Sequence, residues 1–177
     1  MEKKNMNIIL QRTVYLGAVS VFTFALCVCA TAQGTYGVLN EKDAVVVIPT
    51  SFYFAGQSAP TQMRNAVAAR LAKDRLIIAG MVDTSGYSTE ISGKYEGFLI
   101  TDSLVKIGDK QLGTGAYGFG FSQDGKLNVF DISAKQILTV NTQSDADMKR
   151  PRPLQMTPAA GGIRLYKGKN FVVISPG

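Results

Sequence analysis

Any chemistry in this 177-residue chain has to be done without an imidazole, because it contains no histidine. A Ser-His-Asp triad, a Cys-His pair and a His-based metal site are therefore excluded. Tryptophan is absent too, so a sugar-stacking platform would have to be made of tyrosine. What remains is carboxylates, Ser, Thr, Tyr, Lys and Arg. Three acids, Asp83, Glu90 and Glu96, lie in and around the polar stretch DTSGYSTEISGKYEG, where two of them could converge as the acid and base of a hydrolase. Asp145 and Asp147 flank Ala146 and could join a calcium site, but no D-x-D-x-D-G array with a following bidentate Glu is present. Acids that solubilise a loop rim are the preferred reading of Asp83, Glu90 and Glu96.

Two motifs match by letter and fail by context. Ser103-Leu104-Val105-Lys106 has the S-x-x-K spacing of penicillin-interacting serine enzymes, which needs a helix to bring Lys beside the nucleophile. The segment reads as a strand, on which residues three apart point to opposite faces. GTGAYG, Gly113 to Gly118, matches the dinucleotide fingerprint G-x-G-x-x-G, but it runs on into the alternating FGFSQDG rather than into a helix. Its meaning is architectural. Tyr117, Phe119 and Phe121 share one strand face and can fill a core. Ala116, Gly118 and Gly120 share the other, which admits a backbone, a ring or a ligand close to the strand.

Cys27 and Cys29 form a C-x-C pair at the end of an uncharged run from Val14 to Cys29, preceded by Lys3, Lys4 and Arg12 against Glu2. That is the profile of a secretory signal peptide, with Ala30-Thr31-Ala32 as its A-x-A site. Cleavage is expected after Ala32, with Ala30 as the near alternative. The residues before the cysteines, Leu26 and Val28, fit a lipoprotein signal poorly. A run of 16 residues is short against the roughly 20 needed to span a bilayer, so no transmembrane segment is expected after processing. The processed chain would then comprise residues 33–177, with no cysteine and no disulfide, and would depend on its core for stability. At about 150 residues, a chain can bury roughly 70% of its unfolded surface.

The rest of the chain reads as paired strands. LAKDRLIIAGMVD (Leu71 to Asp83), FSQDGKLNVFDIS (Phe121 to Ser133) and LYKGKNFVVIS (Leu165 to Ser175) each pass from an apolar residue through a polar turn into a β-rich segment, and each predicts a hairpin. Further strands are expected at Ala44 to Ile48, Phe52 to Ala55, Tyr95 to Thr101, Leu104 to Ile107, Ala116 to Phe121 and Ile137 to Val140. PTQMRNAVAARLAKD (Pro60 to Asp74) supports a helix through Met63, Val67 and Leu71, or a strand through Asn65, Val67, Ala69 and Leu71; the strand is preferred. Between Asn141 and Pro158, three prolines and mixed charge predict an exposed connection, with a brief strand at Leu154 to Met156. The short, evenly spaced strands argue for a single all-β domain, an antiparallel β-sandwich or small barrel of about eight to ten strands.

Charge is unevenly placed. The processed chain would carry 16 Lys and Arg against 12 Asp and Glu, yet no acid follows Asp147, whereas Lys149, Arg150, Arg152, Arg164, Lys167 and Lys169 do. Lys149, Arg150 and Arg152 are the candidate residues for binding an anionic surface, with solubilisation as the plainer role of the basic end. An export signal and the lack of any nucleic-acid-binding module speak against nucleic acid. No catalytic residue, cofactor-binding residue or metal ligand is assigned.

GDKQLGTGAYGFGF (Gly108 to Phe121), through its L-x-x-G-x-Y part (Leu112 to Tyr117), resembles an element of small exported bacterial β-domains of unassigned function. QSAPTQMRN (Gln57 to Asn65), DTSGYS (Asp83 to Ser88) and KRPRPLQ (Lys149 to Gln155) look like stretches of such proteins as well. The resemblance implies a β-fold and export, and carries no active-site residue across. The function expected is a non-enzymatic binding or structural module of the bacterial envelope or exterior, secreted or periplasmic, whose partner is an unknown envelope or extracellular component, with an anionic one as the candidate. The alternatives are a carboxylate-dependent hydrolase of envelope polymers, using Asp83, Glu90 or Glu96, and a carrier of a small apolar ligand over the Gly118 and Gly120 face.

Overall fold

The structure, a computed structural model, describes residues 37–177. The expected export segment, both cysteines and the cleavage sites at Ala30 and Ala32 lie outside the described residues. The described residues group as one compact unit.

Tight turns punctuate the chain where the sequence places them. β2 (Ser51–Phe54) and β3 (Gln57–Ala72) are joined by Ala55-Gly56, both at positive φ (49° and 86°), the conformation that suits a two-residue hairpin. β3 returns into β4 (Arg75–Val82) through Lys73-Asp74, with Asp74 at φ 59°. β8 (Gly115–Ser122) turns at Gly125 into β9 (Lys126–Phe130), and β13 (Gly162–Gly168) turns at Gly168-Lys169 into β14 (Asn170–Pro176). All three predicted hairpins are present, and the segment Pro60 to Asp74 is strand through Ala72 followed by the turn.

Fourteen strands are present among the described residues, more than the eight to ten expected, because several have only two or three residues. The others are β1 (Gly37–Val38), β5 (Gly97–Thr101), β6 (Val105–Ile107), β7 (Lys110–Leu112), β10 (Gln136–Asn141), β11 (Gln143–Ser144) and β12 (Arg152–Ala159). They form two antiparallel sheets. The larger runs β1-β3-β4-β5-β8-β9-β10 with β2 beside β3; the smaller runs β12-β13-β14-β6-β7 with β11 beside β14.

Between the sheets lies one core. The larger sheet contributes Leu71, Ile77, Leu99, Phe119 and Val129; the smaller contributes Val105, Leu154, Ile163, Leu165 and Ile174. A second core covers the opposite face of the larger sheet, where Ala68, Ile78, Phe98 and Phe130 meet Phe52 and Phe54 of β2, Tyr95, and Ala44 and Ile48. The larger sheet is thus buried on both faces, which is why RLIIAGMV in β4 is nearly all apolar rather than alternating.

Two expectations are corrected. Ala44 to Ile48 is not a strand but most of α1 (Glu41–Val47) and its C-cap. Asn40 accepts the Asp43 backbone N–H at 3.0 Å through Oδ1, and Glu41 and Asp43 suit the positive end of the helix. This cap outweighs the β-preference of three valines, while Ala44 and Ile48, four apart, pack into the second core. The connection Asn141 to Pro158 is likewise not loop throughout, because β12 extends over eight residues. It carries Pro153 and Pro158, which a strand tolerates at a sheet edge where N–H groups are not required for pairing.

Tyr95 is fully buried, its ring stacked on Phe54 at 3.9 Å. Tyr87 meets it edge to face but donates its own hydroxyl to the Gln57 carbonyl at 3.2 Å. The Tyr95 hydroxyl has no hydrogen-bond partner among the described residues, and burial pushes its pKa well up. A buried polar group without a partner costs stability. Tyr95→Phe is therefore expected to stabilise the domain by about 1 kcal/mol in urea unfolding; a loss of stability would mean that the hydroxyl is satisfied.

Candidate functional site

The six bases that follow Asp147 divide into two groups. Arg164 lies over the Phe171 ring at 4.8 Å and donates to the Tyr166 hydroxyl at 3.3 Å, and Tyr166 in turn donates to Asp145 Oδ2 at 3.0 Å. The hydrogen bond to Tyr166, with the Asp145 carboxylate behind it, holds the Arg164 pKa above its ordinary value. Lys167 pairs with Glu96, whose other carboxylate oxygen accepts the Phe121 backbone N–H at 2.9 Å. Lys169 donates to the Ala146 carbonyl at 3.5 Å. These three bases are engaged within the fold, Lys169 through a single long hydrogen bond at the surface. Lys149, Arg150 and Arg152 are exposed and make no hydrogen bond or ion pair among the described residues.

Local geometry presents them outward. Asp145 opens a turn in which its own Oδ1 accepts the Asp147 N–H at 3.1 Å, and Met148 reaches back to Gln155. The chain then bends through Lys149 and Arg150 and enters β12 at Arg152. Arg152 lies opposite Gly168 in the ladder. It lines a cleft of about 530 Å³ at one end of the two sheets, with Phe121, Pro151, Pro153, Lys167 and Asn170 among the other walls. Because Glu96 neutralises Lys167, Arg152 is the uncompensated charge on that rim. Asp145 is engaged through its carboxylate and Asp147 only through its backbone N–H, and no cluster of three or more metal-ligating side chains occurs among the described residues.

The acids proposed for hydrolysis are not brought together in any such cleft. Asp83 is exposed, and hydrogen bonds from Ser85 hold its pKa below the usual value, the opposite of what a general acid needs. Glu90 pairs with Lys94 one turn away at 3.3 Å. Glu96 serves the cross-sheet pair with Lys167. Ser103 lies in the bend before β6 and Lys106 within that strand, with Ser103 bonded through its backbone to Thr101 Oγ1.

Phe119 lies in the core between the sheets with Tyr117 and Phe121 packed against it, as the alternation predicts. The glycine face is filled by the protein itself. A Cβ on Gly118 would collide with the Phe54 ring, and one on Gly120 with the Lys94 carbonyl. Sequence reasoning missed the Glu96–Lys167 pair, because nothing local connects positions 71 apart. It also missed a bulge in β3, for which the polar interruption Gln62 to Asn65 was the available signal. No protein-family model, curated protein or solved structure matches this chain.

Proposed function

We propose that this domain is a non-enzymatic binding module of the bacterial envelope or exterior, which holds an anionic envelope component on Lys149, Arg150 and Arg152. The observation that carries this reading is the division among the bases: Arg164, Lys167 and Lys169 are engaged within the fold, whereas those three are not. Desolvating charges that already have partners gains little, while adjacent uncompensated ones attract polyanions and act over about 10 Å at 0.1 M salt. The cleft beside Arg152 adds apolar walls and Asn170 as a polar contact.

Replacing Lys149, Arg150 and Arg152 together by Ser is expected to weaken retention on anionic envelope material about tenfold in low salt, with little change in melting temperature. Unchanged retention at 50 mM salt, the concentration at which screening is modest, discards the reading. The distribution of carboxylates favours binding over hydrolysis, since Asp83, Glu90 and Glu96 each have a separate partner.

A further inference from the structure

A second concavity lies on the other side of Arg152, and its chemistry differs from that of the basic rim. It begins with a break in the β3–β4 ladder. Thr61 pairs with Val82 and Ala66 with Gly80, so β3 spends four residues, Gln62 to Asn65, where β4 spends only Met81. Bulges of this kind re-aim side chains and end regular pairing. This one is held in shape: Gln62 Nε2 donates to the Val82 carbonyl at 3.0 Å, and Asn65 Nδ2 donates to Gln62 Oε1 at 2.9 Å.

The bulge leaves a groove of about 500 Å³ between α1, β3 and β12. Its walls include Ala44, Ile48, Met63, Val67, Leu154 and Met156. Two of these are methionines, whose unbranched side chains adapt to flexible apolar ligands. Small-molecule sites have about this size, roughly 300 to 1,000 Å³; here the polar groups present nearly as much surface as the apolar walls. Arg64 and Arg152 line the groove as well, exposed and without a hydrogen bond or ion pair among the described residues. Glu41 is the one acid in the lining, so the bases prevail two to one. Gln155 adds an amide. Val45 of α1 also lines it and is 54% exposed, an apolar side chain left partly uncovered.

We infer that this groove binds a single-chain fatty acid, its acyl chain along the methionines and its carboxylate at Arg64 and Arg152. The charge pattern selects the ligand. A neutral apolar body would leave two cations beside it without a partner, whereas a carboxylate matches the planar, forked donors of arginine. Adaptable apolar walls accept chains of differing length, and each methylene removed from water favours binding by roughly fourfold until the groove is full. The inference goes beyond the polyanion reading and does not depend on it, since Lys149 and Arg150 do not line the groove.

The test is titration of the purified chain, stripped of lipid, with decanoate and myristate below their micellar concentrations, with tetradecanol as the uncharged comparison. Saturable one-to-one binding is expected, tighter for myristate than decanoate and about tenfold weaker for tetradecanol. Arg64→Ala is expected to weaken myristate about tenfold without altering retention on anionic polymer, which separates the two readings. Val45→Asp, at a half-exposed helical position, is expected to leave the circular dichroism spectrum unchanged and to abolish binding by setting a carboxylate against the apolar acyl chain. No saturable binding of either acid overturns the inference. So does equal affinity for myristate and tetradecanol, which would make the groove a purely apolar docking face. A dimer in sedimentation that myristate does not dissociate and that Val45→Asp does would mean that a second copy covers the groove, and overturns it too.

Discussion

Gly118→Ala is expected to destabilise the domain by about 3 kcal/mol and to lower the melting temperature by roughly 10 °C. Gly118 sits in β8 on the larger sheet, and a Cβ there would run into the ring of Phe54. That ring has nowhere to go. It is completely buried, stacked on Tyr95 and edge-on to Tyr87 and Phe130. Interiors packed at this density accommodate an added methyl only by pushing neighbours off their preferred rotamers. Gly86→Ala is the matched control, because a Cβ at Gly86 meets nothing within 4 Å. It should change stability by no more than about 0.5 kcal/mol. Phe54→Leu in the Gly118→Ala background should recover at least about 1 kcal/mol relative to the sum of the single changes. Urea unfolding of the four variants measures this directly. Additive effects would show that the two residues do not press on each other.

Leu165→Ala is expected to cost about 3 to 4 kcal/mol, the range typical of deep Leu truncations. Leu165 is fully buried in β13, facing the larger sheet within the core between the sheets. Both walls around it are strands held in ladders, so the cavity has little freedom to collapse. Ile137→Ala, at a position 44% exposed, should cost well under 1 kcal/mol. Both Leu165→Ala and Gly118→Ala should retain one unfolding transition, although they injure different cores. β4, β5 and β8 contribute to both: Ile77, Leu99 and Phe119 face one core, Ile78 and Phe98 the other, and Gly118 receives the Phe54 ring. Loss of either core exposes the same sheet. Two resolved transitions in calorimetry for Leu165→Ala would mean that the cores unfold independently.

The two cores also bear on the candidate site. The Glu96–Lys167 pair joins the loop before β5 on the larger sheet to β13 on the smaller one, beside the cleft that Arg152 lines. Arg152 is common to that cleft and to the groove under α1. A polyanion on the basic rim and a fatty acid in the groove would therefore compete for one guanidinium. Arg64 lines the groove and Lys149 does not, so single changes at those two positions would distinguish the two proposed binding modes.

By itself, the sequence determined what depends on neighbours along the chain. Asp74, Gly125 and Gly168 adopt positive φ at the turns that their types predict, and the alternation of Tyr117, Phe119 and Phe121 against Gly118 and Gly120 sorts the two faces of β8. The absence of imidazole likewise limits the chemistry before any fold is known. Tertiary structure decided what depends on distant partners. α1 is helical where three valines suggest a strand, because Asn40 caps it and Ala44 and Ile48 find the second core. β12 is a strand despite its prolines, because it occupies an edge. Among six similar bases, only pairing across the sheets and with Tyr166 separates the structural ones from Lys149, Arg150 and Arg152. The physical reason is common to all three cases: local propensities are worth tenths of a kilocalorie to about one, and burial or pairing with a residue remote in sequence outweighs them.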